Sequence, residues 1–306
     1  MFKYIFKIPT PATPVLAKGT MVHAALDAVF SLKKCDRTPA ALHDLLRKAW
    51  SDGKKNSTDY ASLFPTVSEE RAWGLEALSL LNNYLELEDP STLVADPIRR
   101  ETWVRAELSL PPRKSSATAC GVADERSFLV RGIVDRLDLA RVGSDDNTKT
   151  VALQVTDYKT GKAPMLKYSA AVNERIVSEK VWQLKIYALL IDAMREKKEK
   201  DRGAKVEEGE QEVLPGMPVR KLRIMYLTNE QGRGETIEVD LGHSAEERRA
   251  VLREVEEELV GIWMNIEELV EAGDTRNFKH CDRAFCSCHP MRSMFTEGAY
   301  WTKSKA

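Results

Sequence analysis

Apolar side chains recur at helical spacing through the first third of the chain and at alternate positions through its middle. Met21, Val22, Ala25, Leu26, Val29 and Phe30 share one helical face, which predicts a helix over Thr20–Leu32 with Thr20 capping it after Gly19. The same spacing predicts helices over Thr38–Trp50 and Ser68–Leu87, the second stopped by Asp89 and Pro90. The period then changes to two over Thr102–Leu110, Phe128–Leu139 and Thr150–Lys159, which read as strands. Helical spacing returns over Val181–Met194. Val219–Thr228 and Glu235–Asp240, joined through Asn229–Gly234, read as a hairpin. Ser244 and Glu247 then make a capping box that opens an amphipathic helix running to Ala272. Arg195–Pro218, charged and containing Gly and Pro, reads as a mobile surface insertion.

The order of helices, strands, helix, strands, helix predicts an α/β fold with a mixed central sheet flanked by helices. No internal repeat and no clean cutting point appears, so the reading is one domain over residues 1–306, ending in a cysteine-containing segment from residue 278 to 306. At 43% hydrophobic residues, such a chain can bury a large core. Its 46 basic and 47 acidic residues nearly cancel, so any contact with nucleic acid must come from a local groove and not from the summed charge. No run of about 18 apolar residues is present, and Met1–Ile8 is too short and too interrupted by lysine to be a signal peptide or a membrane span. The five cysteines are odd in number and sparse, which fits a reducing compartment; the expectation is a soluble, intracellular, cytoplasmic protein.

The candidate chemistry sits where polar residues interrupt apolar rows. Val151, Leu153, Val155, Asp157 and Lys159 share one face of the third strand, so an aliphatic row ends in a carboxylate and an ammonium. Buried charge beside aliphatic side chains is costly unless paired or bound to a metal. On the preceding strand, Asp135 stands among Leu129, Ile133, Leu137 and Leu139, while Asp138 falls on the opposite face. Two inward carboxylates on neighbouring strands suit a hard divalent cation; a plain Asp–Lys pair at a strand end and an Asp135–Arg136 pair are the plainer alternatives. His23 lies at the edge of the first helix's apolar stripe. Gln183 and Tyr187, four apart, share a helix face from which amide and phenol can both reach a phosphate.

Taken together and in this order, His23, Gly132-Ile-Val-Asp135, Asp157-Tyr-Lys159 and Gln183-x-x-x-Tyr187 resemble the PD-(D/E)XK nuclease superfamily, specifically its RecB-like exonuclease branch. The resemblance runs from Lys3 to Pro290 and includes Gly19-Thr-Met-Val-His23 and Asp157-Tyr-Lys-Thr-Gly161. It implies a restriction-endonuclease-like fold and metal-dependent hydrolysis of DNA in repair or recombination. In it, His23, Asp135, Asp157 and the main-chain carbonyl of Tyr158 would hold Mg²⁺ or Mn²⁺. Lys159 would activate water or offset charge on the phosphate, and Gln183 and Tyr187 would position substrate. Asp157 stands where the superfamily often has glutamate.

Many RecB-like nucleases hold an iron–sulfur cluster with one cysteine before the first helix and three near the C-terminus at Cys-x2-Cys-x5-Cys. This chain departs from that pattern. Its set is Cys281-x4-Cys286-x-Cys288, and no cysteine precedes His23. An iron–sulfur cluster, a Zn²⁺ site completed by His280 or His289, and a metal-free remnant all remain open. Thr160-Gly161-Lys162 lacks the upstream glycine of a phosphate loop, so no ATPase motor is expected and any helicase partner would be a separate chain. Lys162, Lys167, Lys180 and Lys185 are candidates to track phosphates or simply a solvated face. A catalytically silent DNA-binding or scaffolding subunit of a helicase–nuclease complex is the rival function.

Overall fold

The structure, a computed structural model, describes residues 12–112, 126–142, 150–201 and 216–273. The chain divides into two compact units; the one comprising Ala12–Val260 carries the sheet, and of the other residues 261–273 are described. The first unit opens with α1 (Pro14–Val29), a short 3₁₀ turn at Lys34–Asp36, α2 (Pro39–Asn56), the single turn α3 (Thr58–Ala61) and α4 (Val67–Leu87). Then come β1 (Arg99–Leu110), β2 (Arg126–Val142), β3 (Thr150–Lys162), α5 (Ala170–Asp201), β4 (Val219–Thr228), β5 (Glu235–Asp240) and α6 (Ala245–Glu271), which continues past residue 260.

Three of the helices start on the same device: Thr13, Thr38 and Thr66 each accept a backbone N–H with the side-chain hydroxyl, satisfying a donor that the first turn would leave unpaired. α1 therefore begins at Pro14 and not after Thr20. Pro14 is preset for the first helical position, and Thr20, inside the helix, donates its hydroxyl to the Leu16 carbonyl. The Ser244–Glu247 capping box is present in both directions: the Glu247 N–H donates to Ser244 Oγ at 3.1 Å, and the Ser244 N–H to Glu247 Oε2 at 3.3 Å.

The five strands lie in the order β1-β2-β3-β4-β5, antiparallel except for the parallel pair β3/β4, whose connection contains α5. α5 is longer than its apolar stripe predicts. It begins at Ala170, and residues 195–201 of the expected insertion are its last turns; residues 202–215 lie outside the described residues. Charged side chains such as Arg195 and Lys197 are good helix formers, and a solvated helix end needs no apolar period to persist. Among the described residues, no helix is long and apolar enough to cross a membrane.

One face of the sheet, through Tyr158, Met225 and Leu227, packs with α1, α2 and α4 in a core that includes Val22, Leu26, Leu42, Leu81 and Tyr84. The alternate side chains Leu153, Val155, Leu222 and Ile224 are buried as well, and α5 lies against β1 to β4. β3 is thus buried on both faces from Ala152 to Tyr158, as a central strand should be. The expectation for β2 needs correction: Leu137 is buried, but Leu129, Ile133 and Leu139 are exposed, while Phe128, Val134 and Arg136 at the alternate positions are buried. The β2–β3 ladder ends at Arg136↔Thr156, while β2 continues alongside β1 to Arg126↔Leu110. From Asp135 back to Arg126, β2 has no β3 neighbour among the described residues, and Leu129 and Ile133 of its outer row lie exposed.

Candidate active site

The two strands part where the candidate carboxylates stand. Asp135 and Asp157 are the first residues past the last β2–β3 pair, so neither belongs to the ladder between them. The Tyr158 N–H, also past that pair, donates to Asp135 Oδ2 at 2.8 Å. From α1, His23 Nδ1 approaches the same oxygen at 3.4 Å, and the imidazole packs edge-on to the Tyr158 ring. The sequence-predicted residues His23, Asp135, Asp157, Tyr158 and Lys159 thus converge at one fork in the sheet.

Asp157 is the most perturbed group there. Its residue is only 4% exposed, and burial together with the Asp135 charge pushes its carboxyl up to about 6, against the pull of Lys159 and His23. Lys159 Nζ donates to Asp157 Oδ1 at 3.0 Å. It also sits 2.7 Å from Oδ2, but without hydrogen-bond geometry, so Oδ2 is buried with no hydrogen-bond donor. For His23, burial opposes the charged form, but the hydrogen bond and charge of Asp135, helped by Asp157 and Glu101, outweigh it and raise the pKa.

Lys159 also donates to Gln183 Oε1 at 3.3 Å, and Gln183 Nε2 donates to Tyr187 Oη at 2.6 Å, so the α5 pair lies within the same network. Gly132 makes this possible. A Cβ built there would lie 2.5 Å from Tyr187 Cε1, so the ring rests on bare backbone. Gly132→Ala is expected to destabilise the protein by about 1–3 kcal/mol through overpacking and to weaken cleavage by displacing Tyr187; denaturant melts alongside rate measurements check this.

Glu101, absent from the sequence reading, joins the cluster. One ligand atom each from His23, Glu101 and Asp135 lies within 4.8 Å of the others, a spacing that can hold a metal ion, and Asp157 adjoins this trio without belonging to it. Glu101 adopts a positive φ of 44°, sparsely allowed for a residue with a side chain, at the one position of β1 that breaks its ladder with β2. Desolvation, then the Asp135 charge, raises its pKa.

Arg136 does not pair with Asp135. It is 2% exposed and points the other way, donating to both Glu88 oxygens (2.5 and 2.9 Å), to Asp138 Oδ2 (2.9 Å) and to Tyr158 Oη (2.8 Å). Asp138 also accepts from Thr156 Oγ1, so its Oδ2 lies in the Arg136 network. Lys162 is exposed and pairs with Glu230 at 3.3 Å. Cys281, Cys286 and Cys288, and the metal readings attached to them, lie outside the described residues; Cys35 is free and exposed.

The donor set suits a hard divalent cation: carboxylates and one imidazole, with a buried carboxylate oxygen lacking a donor. No curated protein matches this chain. Residues 1–291 of the 306 match the PD-(D/E)XK nuclease superfamily. That match covers every element described above, and the chain belongs to the PD-(D/E)XK nuclease superfamily.

Proposed function

We propose that this chain is a Mg²⁺- or Mn²⁺-dependent deoxyribonuclease of the RecB-like branch, acting as an exonuclease in DNA repair or recombination. The observation that carries the reading is the buried Asp157 carboxylate, with one oxygen lacking a hydrogen bond, held against Lys159 beside the His23–Glu101–Asp135 trio. A structural ion pair has no need of three further ligand groups at its side.

His23, Asp135 and Asp157 would hold the cation, with the Tyr158 carbonyl as the resemblance implies and Glu101 as the ligand added by its position. When bound, the cation supplies the positive charge that polarises a phosphoryl oxygen and acidifies water. Lys159, partly exposed and paired with Asp157, would offset the charge that grows on the phosphate during attack. Gln183 holds the ammonium through its amide oxygen, and Tyr187 in turn holds Gln183.

Metal binding and chemistry can be separated experimentally. Lys159→Ala is expected to keep Mn²⁺ binding, read as a metal-induced rise in melting temperature, while losing about 10²- to 10³-fold in cleavage rate. A Lys159→Ala protein that cuts DNA at the wild-type rate would remove Lys159 from the mechanism. A wild type that binds DNA and metal yet cuts nothing would favour the silent-subunit reading.

A further inference from the structure

The outer row of the β1–β2 ribbon, exposed beyond the fork, has a definite chemistry. Its cross-strand pairs are Trp103↔Ile133, Arg105↔Arg131 and Glu107↔Leu129, and all six residues are exposed, Trp103 by 47% and Leu129 by 55%. The ribbon's other row is closed by Val104, Leu108, Phe128 and Val134, which are buried.

Two features of the open row are unfavourable in isolation. Arg105 and Arg131 stand directly opposite one another, and like charges so placed destabilise an antiparallel pair. Neither guanidinium has a carboxylate partner among the described residues; Arg131 lies instead over the Trp103 ring, 5.8 Å from its centroid. A large indole is left half in water beside Ile133. An anion between the arginines would relieve the first, and a flat apolar group on the indole the second.

The row's position says which ligand offers both. Two residues beyond Trp103 and Ile133 along the same strands stand Glu101 and Asp135, members of the metal-ligating trio. Glu107 lies on the far side of the arginines, so the positive charge is interposed between it and the site. A chain that carries phosphates at regular intervals and presents unpaired bases meets both demands at once, since base–aromatic stacking is tolerant of sequence and arginines take phosphates. A duplex would offer phosphates but no base face for Trp103. A protein segment would have to supply carboxylates and an aromatic or aliphatic group in the same order.

We infer that this exposed β1–β2 face binds single-stranded DNA, stacking a base on Trp103 and holding phosphates with Arg105 and Arg131, and leads the strand toward Asp135. The inference rests on the nuclease reading for its direction, but its test does not require cleavage.

Binding of labelled oligo-dT and of a blunt duplex is measured in EDTA for the full chain and its variants. Trp103→Ala is expected to weaken oligo-dT binding roughly 5- to 150-fold, the range of one lost base stack, with a smaller loss on the duplex and near-wild-type affinity in Trp103→Phe. Arg105→Gln combined with Arg131→Gln is expected to flatten the plot of log affinity against log salt by roughly 1.4, the value for two single-strand phosphates. These residues are exposed, so the variants should melt as the wild type does.

Unchanged affinity and salt slope in all the variants would overturn the inference, including the case in which they lose a protein partner instead. Equal losses on oligo-dT and duplex would overturn the single-strand assignment. The outcomes also separate the two claims. Metal-dependent cleavage by the wild type, with DNA affinity untouched in the variants, sinks this inference alone. Binding through this face by a wild type that never cuts sinks the nuclease reading alone.

Discussion

Replacing Asp157 by asparagine is expected to remove metal-dependent cleavage while raising the melting temperature of the metal-free protein. Both effects have one cause. The carboxylate is buried beside Asp135, and its pKa is pushed up to about 6 from the ordinary aspartate value of 3.8. A carboxyl whose folded pKa exceeds its unfolded one contributes stability below the unfolded value and loses it as pH rises through the folded value. Between pH 4 and 6, then, the metal-free protein loses stability on account of Asp157. At neutral pH the ionised form costs up to about 3 kcal/mol, since each pKa unit is about 1.4 kcal/mol.

Asparagine removes that cost. It also removes a charge that favours the proton on His23, so the net gain will be smaller. Thermal melts in EDTA at pH 8 should show the variant several degrees above the wild type, at about 2–4 °C per kcal/mol, and the gap should close toward pH 4. Cleavage should fall at least about 10³-fold with the loss of several kcal/mol of cation-mediated stabilisation. A variant that melts lower than the wild type at pH 8 would mean that Asp157 is a structural partner of Lys159 and not a strained ligand.

The opposite behaviour is expected on the other side of the same strands. Arg136→Met should cost about 3–5 kcal/mol, because it leaves the buried Glu88 carboxylate without its two shortest hydrogen bonds. Burial alone would raise the Glu88 pKa, and the bonds and charge of Arg136 are the main reasons it is lowered. Adding Glu88→Gln should recover part of the loss, as coupled neighbours do; Arg223 and Tyr84, which also contact Glu88, limit the recovery.

Arg136 is bonded to Tyr158 Oη and is the neighbour of Asp135 in sequence, so it positions both the carboxylate and the backbone that approaches it. The variant, assayed where it is still folded, should therefore need more Mn²⁺ for half-maximal cleavage. A stability loss with no change in metal requirement would confine Arg136 to the core.

The polar positions were more legible in the sequence than the boundaries of the elements around them. The strict alternation of a strand assigned Asp135 and Asp138 to different faces, and the structure keeps them in separate networks. Spacing of four on a helix joined Gln183 to Tyr187, and they are hydrogen-bonded. The β4–β5 hairpin and the Ser244–Glu247 cap are as read, because turn and cap chemistry is local.

The features that the sequence does not announce depend on tertiary context. Glu101 adjoins the cluster because the pairing of β1 with β2 brings it across from Asp135, between Arg100↔Arg136 and Thr102↔Val134, and the Arg99-Arg100-Glu101 run carries no period that would announce it. The exposure of Leu129 and Ile133 follows from where β3 leaves β2, which apolar alternation cannot reveal. The early start of α1 was obscured because Gly19-Thr20 imitates a helix start within a helix that Thr13 and Pro14 had already begun.

Digestion of end-labelled DNA decides whether the fork between β2 and β3 is a metal-dependent centre for cutting DNA. Single- and double-stranded substrates would be incubated with Mg²⁺, Mn²⁺ or EDTA and the wild type, Asp157→Ala or Lys159→Ala. The expected result is metal-dependent cleavage by the wild type, stepwise from an end, abolished by EDTA and by Asp157→Ala and slowed about 10²- to 10³-fold by Lys159→Ala. Cleavage at the wild-type rate in both variants, or a well-folded wild type that cuts neither substrate with either metal, would refute that role for the fork.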